Sequence, residues 1–562
     1  MNFRNDLIPY NEDSVRVLWV QDLGEVTGLL CELSKIDSEF DNYANKEVKN
    51  RLNILFSRLN FPITVIYEPY YVDKVYRDEY YQYYSRKHFN ISRNTKRLIF
   101  VEGKYSKKDF LCKCPQKIQQ INNDLIGMVV LKPTKTIGKM LISPFKLNIP
   151  DCYLKTTLFD FFIFGKKYTI NAFPSSGQDS EGMTCAEVNI WQIMEFFGTS
   201  SEEYRVILPS DLYKILNENP NTRILPSEGL NEDQESLIFF RNGFLPKIYN
   251  KYDNSHDENN YSVRTKNCYE PSFEELLSIY VESGIPILGN LAEKGGSVNE
   301  EGHSVTFIGH GYKKFNKDCF NNDFIEMPFC DSTIDKTGIK YYNNYDKIKI
   351  LKTWTRYNEF VIMEDHSTPY QIKSLDNLQF DDLKLDSDDR AVKWELDSFL
   401  VPLHRHVFMD AEDAYKAVLQ LLHNNSEEII DNLGSNEVVI RLFLTSSRLY
   451  KEFRVNNAKS LNECVFFSQV AYPKNLWICE YGSLDSYCQH KAKGEFLLDA
   501  TSSENSITES VISIRHGNSI TYRGPNDAFE NAVVRLNIRL DSDFLMYEQK
   551  NLIFINHEGG LS

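Results

Sequence analysis

A cysteine stands where a helix is predicted to begin, and a glutamine precedes it by seven residues. The cysteine is Cys185, the helix continues to Gly198, and the glutamine is Gln178, seven residues upstream. Unpaired N–H groups and the positive end of the helix dipole stabilise a thiolate over a thiol, so such a cysteine can ionise well below its unperturbed pKa of about 8.5. The pattern therefore predicts a thiol nucleophile.

The segment from Gly302 to Tyr312 offers a base for this thiol on a predicted strand. It contains His303 and His310. Side chains alternate between the two faces of a strand, so these histidines point in opposite directions and only one can face the cysteine. We favour His303, because it opens the strand directly after a glycine, where a substrate can reach it.

Two aspartates are candidates for the group that orients the histidine. Asp365 directly follows an apolar strand that begins at Glu359, whereas Asp331 lies in the polar insertion 313–356. The position at a strand end favours Asp365 and leaves Asp331 as the alternative. His366 is the next residue after Asp365, so on a strand its side chain points to the opposite face, and it is interpreted as a bystander.

A thiol, an imidazole, an orienting carboxylate and a donor for the oxyanion form the set that cysteine hydrolases use. Other catalytic motifs are missing from the sequence: no phosphate-binding loop, dinucleotide fingerprint, His-Glu-x-x-His helix or nucleophile elbow occurs. The eleven histidines are dispersed and do not indicate a metal site. Cys112 and Cys114 form one close pair, but the second pair of ligands that a zinc site would need does not follow. We expect neither a metal nor a cofactor.

The chain is long enough for several domains. Its 562 residues are 42% hydrophobic and 13% aromatic, which can fill sizeable cores. Strand and helix patterns divide it into an amino-terminal α/β domain (1–150), a domain with the predicted nucleophile and base (151–375), an acidic linker (376–395) and a carboxy-terminal α+β domain (396–562).

Several elements have clear signals. Ser272 and Glu275 have capping-box spacing ahead of an apolar stripe that ends at Gly284, and Asp410 is predicted to cap a helix over Ala411 to His423. The runs typical of strands are Phe61–Tyr67, Arg97–Val101, Ile126–Leu131, Ile285–Leu291, Val438–Leu444, Leu476–Glu480 and Gly494–Ala500.

Composition excludes some partners. The net charge of −16 weighs against nucleic acid. No apolar run reaches the roughly 18 residues of a membrane span, and the first residues lack the apolar stretch of a signal peptide. Eleven cysteines without regular spacing indicate reduced thiols. These features predict a cytoplasmic protein, whose oligomeric state the sequence does not indicate.

The site residues resemble those of the papain-like cysteine peptidase superfamily, in particular bacterial members similar to the peptidases that mature bacteriocins. Gln178, the helix that starts Cys185-Ala-Glu-Val-Asn-Ile-Trp, His303 and Asp365 follow that superfamily's order. The longer chain is also similar to uncharacterised bacterial papain-like proteins, through segments such as 124–133.

This resemblance implies an α+β core in which the nucleophile helix packs on an antiparallel sheet, flanked by mixed α/β domains. It also implies roles. Cys185 attacks a carbonyl, His303 relays the proton, Asp365 holds His303, and Gln178 donates to the oxyanion beside the N–H of Cys185.

The expected function is hydrolysis of a peptide or isopeptide bond in a protein or peptide substrate. The same site residues could instead catalyse acyl transfer or glutamine deamidation, because an amine can capture the acyl intermediate in place of water. A catalytically silent binding module is the alternative from another class, and the large flanking regions suit a role in bacterial defence by analogy of architecture.

Overall fold

The computed structural model describes residues 15–179, 181–218, 225–256, 262–294, 302–312, 324–328, 347–351, 358–380, 393–502, 507–523, 534–535, 540, 542–547 and 551–556. The fold is mixed α+β with several antiparallel sheets, which confirms that part of the predicted fold class. None of the helices in these ranges combines the length and the apolar character that crossing a bilayer requires.

The amino-terminal region is an antiparallel sheet whose five strands pair in chain order. Its fourth strand, Leu125–Leu131, is buried along its whole length because apolar clusters pack on both faces. The elements are β1 (Arg16–Val20), α1 (Val26–Ile36), α2 (Phe40–Tyr43), α3 (Lys46–Ser57), β2 (Ile63–Tyr71), α4 (Lys74–Gln82), β3 (Thr95–Glu102), α5 (Lys107–Leu111), α6 (Pro115–Asn123), β4 (Leu125–Leu131) and β5 (Ile137–Ile142).

The central region holds the predicted nucleophile and base. Its helices and strands are β6 (Cys152–Leu154), β7 (Thr157–Ile163), β8 (Lys166–Ala172), α7 (Cys185–Ser200), α8 (Pro209–Leu216), α9 (Glu232–Arg241), β9 (Phe244–Asn250), β10 (Tyr252–His256), β11 (Ser262–Lys266), α10 (Phe273–Glu282), β12 (Ile287–Glu293), β13 (His303–Gly311), β14 (Phe324–Pro328), β15 (Lys347–Leu351), β16 (Glu359–Met363) and β17 (Gln371–Ser374). Every residue of β13 is buried, and both α7 and α10 contact this strand.

The carboxy-terminal region builds a further sheet around β19 and β20. Its elements are β18 (Trp394–His404), α11 (Ala411–Asn424), α12 (Ser426–Leu433), β19 (Glu437–Ser446), α13 (Ser447–Asn456), α14 (Leu461–Gln469), β20 (Asn475–Gly482), α15 (Leu484–Cys488), β21 (Lys491–Ala492), β22 (Gly494–Asp499), α16 (Ile507–Ser510), β23 (Val511–His516), β24 (Ser519–Tyr522), β25 (Val534–Arg535), β26 (Phe544–Leu545) and β27 (Ile553–Ile555). Strands β14 and β15, from the insertion 313–356, join this sheet, and β15 runs parallel to β19.

Strands from distant parts of the chain complete the sheet that carries His303. Its main strand order is β17, β16, β13, β12, β18, β9, and all of these pairs are antiparallel. Strand β27 also joins it, by pairing with β6 beside β13. The boundary predicted at residue 396 therefore falls inside β18. Most of the predicted linker, 381–392, lies outside the described residues.

One hydrophobic core runs from the amino-terminal helices into the central sheet. Leu52 and Leu55 of α3 belong to the same buried cluster as Val361 and Met363 of β16. The strand that leads to Asp365 thus packs on the amino-terminal region. Burial of such apolar surface stabilises the folded state by roughly 25 cal/mol per Å².

Candidate active site

Cys185 opens α7, and a capping box fixes where that helix begins. The backbone N–H of Thr184 donates to the Glu187 carboxylate at 3.0 Å, and the Thr184 hydroxyl donates to the same oxygen. Glu187 is fully buried and also accepts from the Ser227 hydroxyl. Cys185 is partly exposed at the first helical position. The residue thus stands at the end of the helix where the dipole favours negative charge.

Asn189, one turn further along α7, ties the nucleophile to the strand of the base. Its side-chain N–H donates to the Cys185 carbonyl at 2.9 Å and to the Ser304 carbonyl at 2.8 Å. Its oxygen accepts from the Thr306 hydroxyl at 2.8 Å. Asn189 is fully buried. These bonds fix α7 against β13, so the distance between Cys185 and His303 does not depend on apolar packing alone.

His303 lies between the thiol and a pair of carboxylates. Its Nε2 is 3.1 Å from Glu364 Oε1 and 3.6 Å from Asp365 Oδ1. Burial lowers the pKa of His303, but a side-chain hydrogen bond with Cys185, a second with Glu364 and the charges of both acids together raise it well above its ordinary value. The raised pKa favours the protonated imidazole near neutral pH, which is the form that pairs with Glu364.

The carboxylate pair contains a residue that the sequence interpretation missed. Strand β16 ends at Met363, so the alternation of faces stops there and both Glu364 and Asp365 turn towards His303. Burial and the charge of Glu364 raise the pKa of Asp365 well above its ordinary value. Burial raises the pKa of Glu364 too, but the hydrogen bond and charge of His303 outweigh it and lower that pKa. Glu364 is thus the charged partner, and Asp365 is neutral.

Gln178 reaches the site through His366. Gln178 Nε2 is in close contact with His366 Nε2, and the backbone N–H of His366 donates to Glu364 Oε1 at 2.9 Å. The rings of His366 and His303 are 6.4 Å apart. Burial and the positive charges of Arg51 and His303 lower the pKa of His366. A neutral His366 can accept a hydrogen bond from the Gln178 amide, so this histidine is part of the site.

Arg51 of α3 and Arg58, directly after that helix, hold the chain that follows the carboxylates. Arg51 donates to the carbonyls of Asp365 at 2.7 Å and Ser367 at 3.1 Å. Arg58, two turns later, donates to the Thr368 hydroxyl at 2.7 Å and to the carbonyls of Pro369 and Tyr370. These bonds satisfy backbone oxygens in a buried loop, which would otherwise cost free energy. The amino-terminal region therefore positions one side of the candidate site.

Replacing Arg51 with methionine is expected to lower the free energy of unfolding by about 2 to 4 kcal/mol, because two buried carbonyls lose their donor. Urea denaturation of the full chain measures this loss. Arg77→Met is the control, because Arg77 donates to the Arg93 carbonyl and the Asn94 side chain in a less buried place. Equal stability of the two variants would contradict the role of Arg51.

The two alternatives that the sequence left open, His310 and Asp331, have different outcomes. His310 lies at the far end of β13, where its Nε2 is 2.9 Å from Glu282 Oε2 and its ring contacts Tyr153. Of the two histidines, His303 is therefore the one beside Cys185. Asp331, the alternative orienting residue, lies outside the described residues.

His303, Glu364 and Asp365 also form a group that could hold a metal ion. One donor atom from each lies within 4.8 Å of the others, and all three residues are buried. One nitrogen and two carboxylate oxygens suit a cation such as Zn²⁺. Nε2 cannot bind a cation while it donates a proton to Glu364, so a metal and the imidazolium exclude each other.

Comparison with models of known protein families and with curated proteins gives no match to this chain.

Proposed function

We propose that the protein is a papain-like cysteine hydrolase that cleaves a peptide or isopeptide bond through an acyl-enzyme on Cys185. The observation that carries the proposal is the position of His303, which interacts with Cys185 and has Glu364 and Asp365 beside its Nε2. A thiol nucleophile, an imidazole base and an orienting carboxylate are the set that acyl transfer to a thiol requires.

In the proposed reaction the Cys185 thiolate attacks the substrate carbonyl, and the electron pair moves to the carbonyl oxygen. Gln178 and the N–H of Cys185 are the proposed donors to that oxyanion. His303 then gives its proton to the leaving amine as the C–N bond breaks, which leaves a thioester. His303 next takes a proton from water, whose attack releases the acid and the thiolate. Glu364 keeps the imidazole in one orientation through both steps.

The proposed substrate is a protein or peptide, and the proposed compartment is the cytoplasm, where thiols stay reduced. The nine cysteines of the described residues are free. Transfer of the acyl group to an amine and deamidation of glutamine use the same intermediate. Mass spectrometry of peptide substrates separates these outcomes, because it detects a cleaved chain, a transferred group or a mass gain of about one unit.

Selective alkylation of Cys185 is the test of the proposal. At limiting iodoacetamide and pH 7, we expect Cys185 to react at least about tenfold faster than the other thiols, because an adjacent imidazolium and a helix N-terminus promote the thiolate. Mass spectrometry gives the rate at each site. The exposed thiols Cys31, Cys114 and Cys268 are internal controls. Burial raises the pKa of Cys152 to about 12, which predicts an inert thiol.

Faster alkylation of the three exposed controls than of Cys185 would overturn the hydrolase proposal. The alternative of a silent binding module would then be preferred. If Cys185 is selectively alkylated, Cys185→Ala must also remove any peptide cleavage, transfer or deamidation by the full chain.

A further inference from the structure

The chain between Gln178 and Cys185 folds around the side chain of Asp179. Asp179 Oδ1 accepts from the backbone N–H groups of Glu181 at 3.2 Å, Gly182 at 2.9 Å and Met183 at 3.1 Å. The N–H of Asp179 donates back to the Met183 carbonyl at 3.2 Å. A single carboxylate oxygen thus fixes three peptide groups immediately ahead of the nucleophile helix.

The second oxygen of Asp179 faces a buried cation from the amino-terminal region. Asp179 Oδ2 is 3.6 Å from Lys132 Nζ, and Lys132 Nζ is 3.2 Å from Glu79 Oε2. The side chains of Asp179, Lys132 and Glu79 are 1%, 4% and 0% exposed. Lys132 directly follows β4, and Glu79 lies on α4. Both partners of Asp179 therefore come from the amino-terminal region.

The charges in this cluster balance. Burial raises the pKa of Asp179, but the charge of Lys132 and hydrogen bonds from Glu79 and Tyr84 outweigh it, so the pKa is lowered. Burial and the charge of Asp179 raise the pKa of Glu79 well above its ordinary value. Lys132 thus faces an ionised Asp179, and the raised pKa of Glu79 favours its neutral form.

The loop also lies directly against Glu79. A Cβ atom added at Gly182 would be only 2.5 Å from Glu79 Oε1. The glycine at this position therefore allows the close approach of the backbone to the buried acid. The cluster fixes the loop by hydrogen bonds, by charge and by contact.

We propose that Asp179 is a positioning residue for the thiol site, and that Lys132 and Glu79 of the amino-terminal region hold it in place. The inference rests on the proposed function of Cys185. Reaction at a thiol depends on where its neighbours lie, and a displacement of about 1 Å can cost up to 100-fold in rate. Asp179 sets the path of the chain between the proposed oxyanion donor and the nucleophile.

A double-mutant cycle on the full chain tests this inference through the rate of Cys185 alkylation. Lys132→Met leaves the buried Asp179 carboxylate without its cation, and Asp179→Asn turns an amide N–H group towards the Lys132 ammonium, so each is expected to slow alkylation about tenfold or more. The combined variant keeps the amide oxygen that accepts from the loop and buries no unpaired charge. Its rate is expected to recover to within about threefold of the unmodified chain.

Two further variants separate positioning from general stability. Asp179→Ala with Lys132→Met removes the acceptor and should stay slow. Lys96→Met breaks another buried pair of the same region, in which Lys96 Nζ is 2.5 Å from Asp37 Oδ2. It should lower stability and leave alkylation unchanged. Circular dichroism confirms that each variant is folded at the assay temperature.

Single variants of Asp179 and Lys132 that are alkylated as fast as the Lys96 control would overturn the positioning role. That result would leave the proposed function intact, because Cys185 would still react selectively. If Cys185 of the unmodified chain is not alkylated selectively, that is a different outcome, and it contradicts the proposed hydrolase. Failure of the combined variant to recover would also contradict the role assigned to the charge pair.

Discussion

Replacing His303 with alanine is expected to slow the alkylation of Cys185 at pH 7 by about 100-fold or more. In the proposed site His303 is the base for Cys185; burial lowers its pKa, but its interactions with Cys185, Glu364 and Asp365 outweigh burial and raise it. Without the ring, the thiol loses its proton acceptor and the buried charge of Glu364 loses its partner. The rate constant is measured by mass spectrometry at several iodoacetamide concentrations.

His310→Ala is the matched control, because it removes a buried histidine from the same strand. His310 pairs with Glu282 at the other end of β13, away from the thiol. We expect this variant to be less stable, with alkylation of Cys185 within about threefold of the unmodified chain. Equal slowing by the two substitutions would mean that damage to β13, rather than loss of the imidazole, explains the effect.

Replacing Glu364 with glutamine is expected to have the second largest effect, slowing any turnover by about 100-fold. Glu364 Oε1 is the acceptor nearest to His303 Nε2, at 3.1 Å. Glutamine can present its N–H groups to Nε2 and so select the wrong tautomer of the ring. Asp365→Asn should change the rate by less than about threefold, because Asp365 is already neutral in this pair.

Glu364→Gln is also expected to shift the pH dependence of turnover. Burial lowers the pKa of His303, and Glu364 is one of the groups that raise it, so Glu364→Gln must lower this pKa. The imidazolium is then lost at a lower pH, and the alkaline limb of turnover moves in that direction. NMR titration of the His303 ring measures the shift. A larger loss of turnover in Asp365→Asn than in Glu364→Gln would instead make Asp365 the orienting group, as the sequence predicts.

Local residue types allowed the main elements of the site to be predicted. The helix predicted after Ser272 is confirmed as Phe273–Glu282, with the Ser272 hydroxyl accepting from the Glu275 N–H at 3.3 Å. The predicted helix after Asp410 is confirmed as Ala411–Asn424. The helix start at Cys185 and the strand start at His303 depend on the same kind of local signal. Capping residues and strand patterns act over a few positions, so a single sequence contains them.

Partners distant in sequence could not be predicted in the same way. Arg51 bonds to the carbonyl of Asp365, 314 residues later, and Asn189 bonds to Ser304, 115 residues later. No periodicity links such positions, because tertiary packing alone brings them together. Glu364 was missed for a different reason. Only Asp365 was weighed at this strand end, whereas β16 ends at Met363 and both Glu364 and Asp365 lie beside His303.

Arg51 of α3 and Arg58 directly after it also bear on how the proposed enzyme could be kept inactive. Many peptidases are made as zymogens, in which proteolysis removes an inhibitory leading segment and frees the cleft. Here the leading 150 residues supply the donors for the loop behind the acids and the cation that faces Asp179. Their excision would remove contacts that position the proposed catalytic site. Control by a bound ligand, a partner or access to the cleft is compatible with this architecture, and activation by cutting away that segment is not.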